Sequence, residues 1–338
     1  MAKRLDVIEQ SFLDTVQANN LIEKNDVIVV GVSGGPDSIT LLACLNKYKE
    51  KFGCKLVVAH INHLIRKDST EDEEFVENVC KNLGIEFFVK RAEVEKLAKE
   101  EKRGTEDMGR IIRYEFFAEV AKKVGANKIA IAHNMNDNAE TMIMNLLRGT
   151  GLTGLEGIQP INEDRFDNND LVVIRPLINC KREDIEKYCE VNNLNPRIDS
   201  TNKENIYRRN EIRNELIPYL KKFNPNIVET LSRTSKVIKD SNDFIASEVE
   251  KSFKEIVKEE NKEIIIDVNS FNELDKTIQR GIILKSIEEI LGNVRSVSKV
   301  NIDDICELAN RGEGNKEITF NNLKFSIKNK KLIIAQLV

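Results

Sequence analysis

Two glycines flanked by serines, with a proline and an aspartate behind them, make up residues 33–38, SGGPDS. They follow the apolar run VIVV at 27–30 and lead into LLACLNKYKE. Gly34 and Gly35 let the backbone take positive φ and come close to a ligand. Pro36 suits the first turn of a helix, where its missing N–H is not needed. The helix start then offers free N–H groups and the positive end of its dipole, which together make an anion site. Ser33 and Ser38 add hydroxyl donors. An aspartate beside a phosphate needs a cation between them, so Asp37 is assigned to Mg2+. A Walker-type loop would carry a lysine and a longer glycine spacing, and this turn has neither. Gly-Gly-Pro also occurs in ordinary strand-to-helix turns; the two serines and the aspartate favour the phosphate reading.

Three more stretches carry residues able to do chemistry. AHINHLIR (59–66) ends an apolar run with His60, Asn62, His63 and Arg66. The two histidines are close enough to share a metal, but the chain has three histidines in all and no nearby cysteine pair. A place near the nucleotide is the better reading of them. Arg66 suits phosphate or RNA, or is a plain surface arginine. AHNMNDNAET (132–141) puts Asp137 and Glu140 three residues apart, hence on one helix face, directly after His133. Two carboxylates on a cleft could grip an ammonium group and help remove its proton. The alternatives are a solvated acidic face, or Asp137 as a ligand of Mg2+. DSTNKENIYRRNEIRNELIPYL (199–220) holds Arg208, Arg209 and Arg213. With Lys203, Lys221 and Lys222 they form a basic cluster, which Glu204, Glu211 and Glu215 dilute to a modest positive charge. Tyr207 adds a stacking surface, so the segment reads as RNA-facing, with Arg209 within reach of the site. Arg110 and Arg113 lie at i, i+3 on a helix, and by themselves would be a solvated face.

These residues need a frame that gathers strand ends. VIVVGV (27–32), KLVVAHI (55–61), IEFFVK (85–90), KIAIAH (128–133) and LVVIRPL (171–177) read as strands. Helical patterns lie between them at 38–51, 71–82, 106–124, 136–148 and 181–193. The alternation predicts an α/β fold, a doubly wound parallel sheet with helices on both faces. Ligands of such sheets bind at the carboxyl ends of the strands, where most of the residues above fall. The glycine-rich GTGLTGLEG (149–157) after the acidic helix reads as a mobile lid or a plain turn. Beyond residue 215 long helices and a strand-like tail predict a smaller α+β, mainly helical domain. The expected boundaries are 1–215 and 216–338.

SGGxDS resembles the pyrophosphate loop of the N-type ATP pyrophosphatases, which cleave ATP between its α and β phosphates and adenylate a substrate oxygen. With AHINHLIR, AHNMNDNAETMIMNLLRGTGLTGLEGI and DSTNKENIYRRNEIRNELIPYL, the chain resembles the tRNA(Ile)-lysidine synthetase family over roughly residues 25–220. GRIIRYEFF (109–117) and the RPL of 175–177 extend the likeness. The resemblance implies an adenine nucleotide alpha hydrolase-like fold. It implies ATP and Mg2+ as cofactors, and free L-lysine and tRNA(Ile) with a CAU anticodon as partners. Its chemistry would adenylate O2 of the wobble cytidine, then let the lysine ε-amine displace AMP from C2. Arg113 resembles an arginine that stabilises the adenylated intermediate. His60 and residues 33–38 would take the nucleotide. Asn62, His63, Arg66, Arg110, His133, Glu140, Arg208 and Arg213 would take substrate, with Asp37, Asp137 and Arg209 at the chemistry. Typical members have a second histidine where Asn134 stands, and longer ones carry a further C-terminal domain. A homodimer is one expected assembly.

Competing readings are a tRNA thiolase of the same superfamily, an amidating ligase such as GMP or NAD synthetase, and an RNA-binding module with a dead loop. The six cysteines include no CxxC pair. That weakens the thiolase reading and suits a reducing cytoplasm. The basic segment and LLRGTGLTGL disfavour the ligases, and the complete SGGPDS disfavours the dead loop. Net charge is −4, with 41% apolar and 32% charged residues. This excludes a surface that binds nucleic acid all over, but permits a local basic patch. No membrane span or signal peptide is expected.

Overall fold

The computed structural model describes residues 6–64, 69–162, 171–197, 208–260, 263–294, 297–311 and 316–337. The chain divides into two compact units, Met1–Lys236 and Val237–Val338.

The first unit runs α1 (Val7–Ala18), β1 (Val27–Gly31), α2 (Pro36–Phe52), β2 (Lys55–Asn62), α3 (Ser69–Leu83) and β3 (Glu86–Arg91). It continues with α4 (Val94–Glu100), α5 (Thr105–Val124), β4 (Lys128–Ala130), α6 (Met135–Arg148), α7 (Leu152–Leu155), β5 (Ile161–Asn162), β6 (Val172–Ile174) and α8 (Arg182–Val191). Further along, α9 (Arg208–Glu211), a π-turn (Ile212–Leu216) and α10 (Ile217–Lys221) follow one another directly. The sheet order is β3-β2-β1-β4-β6-β5. All pairings are parallel except β5 with β6.

Alternation along the strands fills both faces of this sheet. Ile28, Val30 and Val58 pack with Phe12 of α1, Leu42 of α2, Val76 of α3 and Ile185 of α8. Val29, Val57, Ile129 and Val173 pack with Tyr114, Phe117 and Val120 of α5. The parallel, doubly wound sheet is therefore as expected. β4 and β6 are shorter than the sequence suggested. Beyond each, the backbone leaves the ladder to make single bonds, Ile131 N–H to the Ile174 carbonyl and Met135 N–H to the Cys180 carbonyl.

The chain winds outward from β1 to β3 on one side and from β4 to β6 on the other. The reversal lies between β1 and β4, where the loops after neighbouring strands part and leave a crevice. The glycine turn follows β1, and His133 follows β4.

The expected boundary at residue 215 falls inside the first unit. Ile212, Ile217 and Val228 pack with Ala139 and Ile143 of α6, which holds this segment to the sheet-bearing unit. α11 (Ile227–Ile256) carries the chain onward.

The second unit has β7 (Val257–Glu260), β8 (Glu263–Asp267), α12 (Val268–Glu273), α13 (Lys276–Leu291), α14 (Lys299–Arg311), β9 (Glu317–Phe320), β10 (Leu323–Lys328) and β11 (Lys331–Gln336). Its antiparallel sheet runs β7-β8-β11-β10-β9. Ile264, Ile266, Phe325, Leu332 and Ile334 form its core with Phe271, Ile282, Ile283 and Ile305. The strand-like tail thus pairs through β11 with β8, and β7, which follows directly on a long helix, extends the sheet beyond β8.

Candidate active site

The glycine turn is held from below and left open above. Val32 N–H donates to the Ala59 carbonyl, 3.0 Å, extending the β1–β2 pairing by one residue. Gly34 then turns the chain with φ +92°, the left-handed region open to glycine. A Cβ there would come 3.4 Å from Val76 Cγ2 of α3. Ser38 closes the turn. Its hydroxyl donates to the Gly35 carbonyl (3.0 Å), accepts from Ser33 N–H (3.2 Å) and meets the Ser33 hydroxyl (3.2 Å). Gly35 caps α2 with no side-chain bond, and Pro36 opens its first turn. The first N–H groups of a long helix are thus left for an anion.

His60, at the end of β2, is buried. Its Nδ1 donates to the Val32 carbonyl at 2.8 Å, so His60 braces the residue before the turn. Burial lowers its proton affinity. Asn62 is also buried. Its amide donates to Glu73 (2.9 Å) and its oxygen accepts from Leu64 N–H (3.0 Å). Arg91 grips the same Glu73 at 2.7 Å. Asn62 therefore fastens β2 to α3, where the sequence suggested a substrate contact; its amide is spent inside the protein. His63 is half-buried against α5, with its Nδ1 buried and unpartnered. Burial first, then Arg113 and His60, push it down to about 4, so the ring is neutral. No acid or carbonyl among the described residues meets the Arg113 guanidinium, and burial lowers its affinity for its proton. Arg110 is exposed, stacked 5.1 Å from the Tyr114 ring. Arg66, Lys203, Glu204 and Tyr207 lie outside the described residues.

Across the crevice, Asn134 caps α6. Its Oδ1 accepts from the N–H groups of Asn136 (2.9 Å) and Asp137 (3.1 Å). Asp137 Oδ2 accepts from Asn134 N–H in return, 3.0 Å. This reciprocal box leaves the Asn134 amide nitrogen free to reach over, and it donates to Asp37 Oδ1 at 2.8 Å. One residue therefore joins the first turn of α2, after β1, to the helix after β4. Arg182, at the start of α8, points at the other Asp37 oxygen from 3.9 Å. Its own N–H donates to Asn136 Oδ1 (3.1 Å), so α8 is tied to the same corner. Burial, and next the charge of Asp137, push Asp37 up to about 6, with Arg182, Asn134 and Arg213 pulling the other way.

The acidic pair of α6 is not an open face. Glu140 is fully buried, and both its oxygens are taken. Arg209 Nε lies 2.8 Å from Oε2, and Arg213 Nε lies 2.6 Å from Oε1. Each guanidinium also reaches Asp137 Oδ1 at 3.1 Å. Burial alone would weaken the hold of both arginines on their protons; the carboxylates outweigh it and raise it. Arg209 and Arg213 stand four apart on one face of the 208–221 segment, matching the i, i+3 acids opposite. Pro218 has no N–H to give, and the ladder slips there, with Ile217 N–H bonding back to the Ile212 carbonyl. The arginines of the basic cluster thus divide: Arg209 and Arg213 turn inward, while Arg208 is exposed. Glu140, expected to face lysine, and Arg213, expected to face RNA, are paired with each other in this structure.

The glycine-rich segment after α6 is partly tied down. Asn145 donates to the Gly154 carbonyl (2.8 Å), and Asn138 Oδ1 accepts from Ile158 N–H (2.7 Å). Gly157 has φ +67°, and a Cβ there would lie 2.0 Å from Asn138 Oδ1.

Residues 5–220 match the model of the PP-loop domain family. The chain is 42% identical over 331 residues to a tRNA(Ile)-lysidine synthase of Clostridioides difficile (strain 630), covering 97% of this chain and 70% of that protein. The chain belongs to the tRNA(Ile)-lysidine synthase family. A second member of this enzyme family, from Clostridium perfringens (strain 13 / Type A), is 42% identical over 317 residues, 93% of this chain and 66% of that one. The chain thus spans 66–70% of the length of these two lysidine synthases. The fold is shared more widely. A U34-tRNA thiolase from Methanococcus maripaludis superposes with a TM-score of 0.55 at 18% identity, over 69% of this chain and 78% of that one. No helix among the described residues is long and apolar enough to cross a membrane.

Within the family's fold, three residues of the corner had no chemical role assigned from sequence. Asn134 looked like a departure from a double histidine. Arg182 lay in a charged helix start, KREDI, with nothing to single it out. Arg175 stood in RPL as a mark of likeness only.

Proposed function

We propose that this chain uses ATP to adenylate O2 of the wobble cytidine in a CAU-anticodon tRNA(Ile), releasing pyrophosphate, and then joins free L-lysine to C2. In the second step the lysine ε-nitrogen bonds to C2, the C2–O bond breaks, AMP leaves with that oxygen, and the amine gives up its proton. The observation that carries the reading is the bond between Asn134 and Asp37. It sets the phosphate turn and the Asp137 corner side by side, as a reaction needs that moves from a phosphate to an amine.

Mg2+ fits Asp37. The ion takes one or two carboxylates and leaves its other positions to phosphate and water. Asp37 supplies a hard oxygen whose nearest cation, Arg182, stands off at 3.9 Å, and its charge is disfavoured by burial beside Asp137. When bound, the ion would neutralise charge on the pyrophosphate. The chain's own groups do the rest. The N–H groups at the start of α2 and the hydroxyl of Ser33 take phosphate oxygens, while Ser38, whose hydroxyl donates to the Gly35 carbonyl, shapes the turn. Arg113 of α5, which meets no acid among the described residues, takes the adenylate. Asp137 attracts the lysine ammonium, in competition with Arg209 and Arg213. Both arginines hold Asp137 Oδ1, while Oδ2 accepts only from Asn134 N–H among the described residues, so Oδ2 is the oxygen that faces the amine.

The thiolase alternative is supported less. Five of the six cysteines are buried. Burial pushes Cys80 up to about 12 and Cys180 up to about 11, which keeps these thiols from acting as nucleophiles. The test supplies ATP, Mg2+ and a CAU-anticodon isoleucine tRNA transcript, with and without labelled lysine. Lysine on the RNA with AMP released supports the reading. AMP without lysine transfer points to another nucleophile, and no AMP at saturating tRNA overturns the reading.

A further inference from the structure

We propose that Arg175 locks His133 into a single neutral form, with its proton on Nε2, so that His133 serves as a fixed hydrogen-bond donor to an oxygen of the substrate's nucleotide part. Arg175 is then a positioning residue, acting through His133. The inference rests on the proposed reaction for its substrate, but not for the form of the ring.

Arg175 follows β6 and is buried. Its N–H donates to the Pro160 carbonyl at 2.8 Å, and Nη1 donates to the Gln159 carbonyl at 3.0 Å. The first bond fixes the backbone of Arg175 and the second holds its guanidinium beside the histidine. Nε then lies 3.2 Å from His133 Nδ1. A guanidinium can only donate. Nδ1 must therefore be the bare nitrogen, and the one proton of a neutral imidazole sits on Nε2. Protonating Nδ1 would face two N–H donors at each other.

The surroundings favour the neutral ring. Burial acts first. Asp137 of α6 favours the charged form, while Arg175, Arg209 of α9 and Arg110 of α5 oppose it, and the ring is pushed down to about 4. His133 is half-buried, and nothing among the described residues accepts a bond from Nε2. It sits immediately before Asn134, whose amide holds Asp37, so the free donor belongs to the same corner as the phosphate turn. A donor that cannot lose or gain its proton near neutrality is suited to an oxygen gathering negative charge. Two oxygens share that chemistry, one on the α-phosphate of ATP and one on C2 of the pyrimidine.

The test begins with nitrogen-15 NMR of the histidines in the full chain, using His133→Gln to assign the signal. The expected spectrum shows a bare Nδ1 and a protonated Nε2, with no titration near 6.5, the ordinary value. A ring protonated on Nδ1, or one titrating normally, overturns the proposal. Arg175→Met should release the ring to a mixture of forms that titrates, and Arg175→Lys, which keeps a donor, should restore the Nε2–H form. If both variants keep the wild-type spectrum, Arg175 is not the cause.

The second arm compares His133→Gln, whose amide nitrogen falls near Nε2, with His133→Asn, which cannot reach that point. AMP formation with tRNA should be at least about tenfold faster in the Gln variant. Equal rates overturn the proposal. ATP binding without tRNA separates the two oxygens. Weakening in His133→Asn assigns the phosphate, and unchanged binding assigns the base carbonyl. Should the wild-type chain form no AMP with this tRNA, the proposed reaction fails while the NMR arm still decides the form of the ring.

Discussion

Glu140→Gln is the sharpest test of how the arginine segment is held. Glu140 has no exposed surface, and its two oxygens carry bonds from Arg209 at 2.8 Å and from Arg213 at 2.6 and 2.9 Å. Glutamine keeps the volume but removes the charge, and its NH2 faces a guanidinium donor. The two guanidiniums then share one carboxylate, Asp137. Breaking a buried ion pair from one side costs about 3–5 kcal/mol, because the remaining charge stays in a poorly solvated place. For a unit of this size that corresponds to a fall in Tm of about 6–20 °C. Circular dichroism during heating measures it, and urea unfolding gives the free energy directly. The cycle with Arg213→Gln adds the decisive comparison. If the charges matter to one another, the double variant loses about 1–3 kcal/mol less than the two single losses added. A loss under about 1 kcal/mol for Glu140→Gln, or strict additivity in the cycle, would refute the view that this network fixes the 208–221 segment to α6.

Three further outcomes are expected. Asp37, pushed up to about 6 by burial and then by Asp137, holds its proton more tightly in the fold than the ordinary value of 3.8 allows. Its contribution to stability is present below 3.8 and is lost as pH rises through 6. The charged form that a cation needs appears over the same interval, so Mg2+ affinity by calorimetry should rise by about tenfold per pH unit until it levels near neutrality; a flat profile contradicts this. Gly34→Ala, at φ +92° with Val76 close by, should lose about 1–3 kcal/mol in urea unfolding. Gly35→Ala, where a Cβ meets only Ser33 Oγ at 3.7 Å, should lose clearly less, and equal losses would deny the special role of Gly34. Asn134→Ala removes a helix cap worth about 1 kcal/mol and frees Asp37 as well. Calorimetry of metal and ATP should therefore change more than the melting point does, and unaltered binding would mean that the Asp37 contact is idle.

The parts of the fold readable in advance were those where one residue type has one physical reason to be there. Ile28 and Val30 alternate with Val29 because both sheet faces are covered, and the helices between strands show their periodicity for the same reason. Gly34 announces a backbone that others avoid. β7 and β8 were hidden because they follow a long helix with no break in composition, and only the later strands show where they pair. The short β5 carries too few residues for any pattern.

The candidate site was legible as two halves and illegible as a whole. Asp137 and Glu140 are spaced to share a helix face, and Arg209 and Arg213 are spaced to share another. Each pair by itself looks like a surface: one for an amine, one for RNA. Helical spacing says which residues stand together on an element, but not which element stands opposite. Once Ile212 and Ile217 bury themselves against Ala139 and Ile143, the two charged faces have nowhere to go but onto each other. Charge that is buried must be paired, so the partnership follows from the apolar contact beside it. The same reasoning explains Asn134. A helix cap needs only the side-chain oxygen of asparagine, and the amide nitrogen is left over. Because β1 and β4 are neighbours in the sheet, that spare nitrogen lies beside Asp37. The capping residue of one helix thereby becomes the link to the turn that starts another, and the crevice between the two strands acquires a single connected wall.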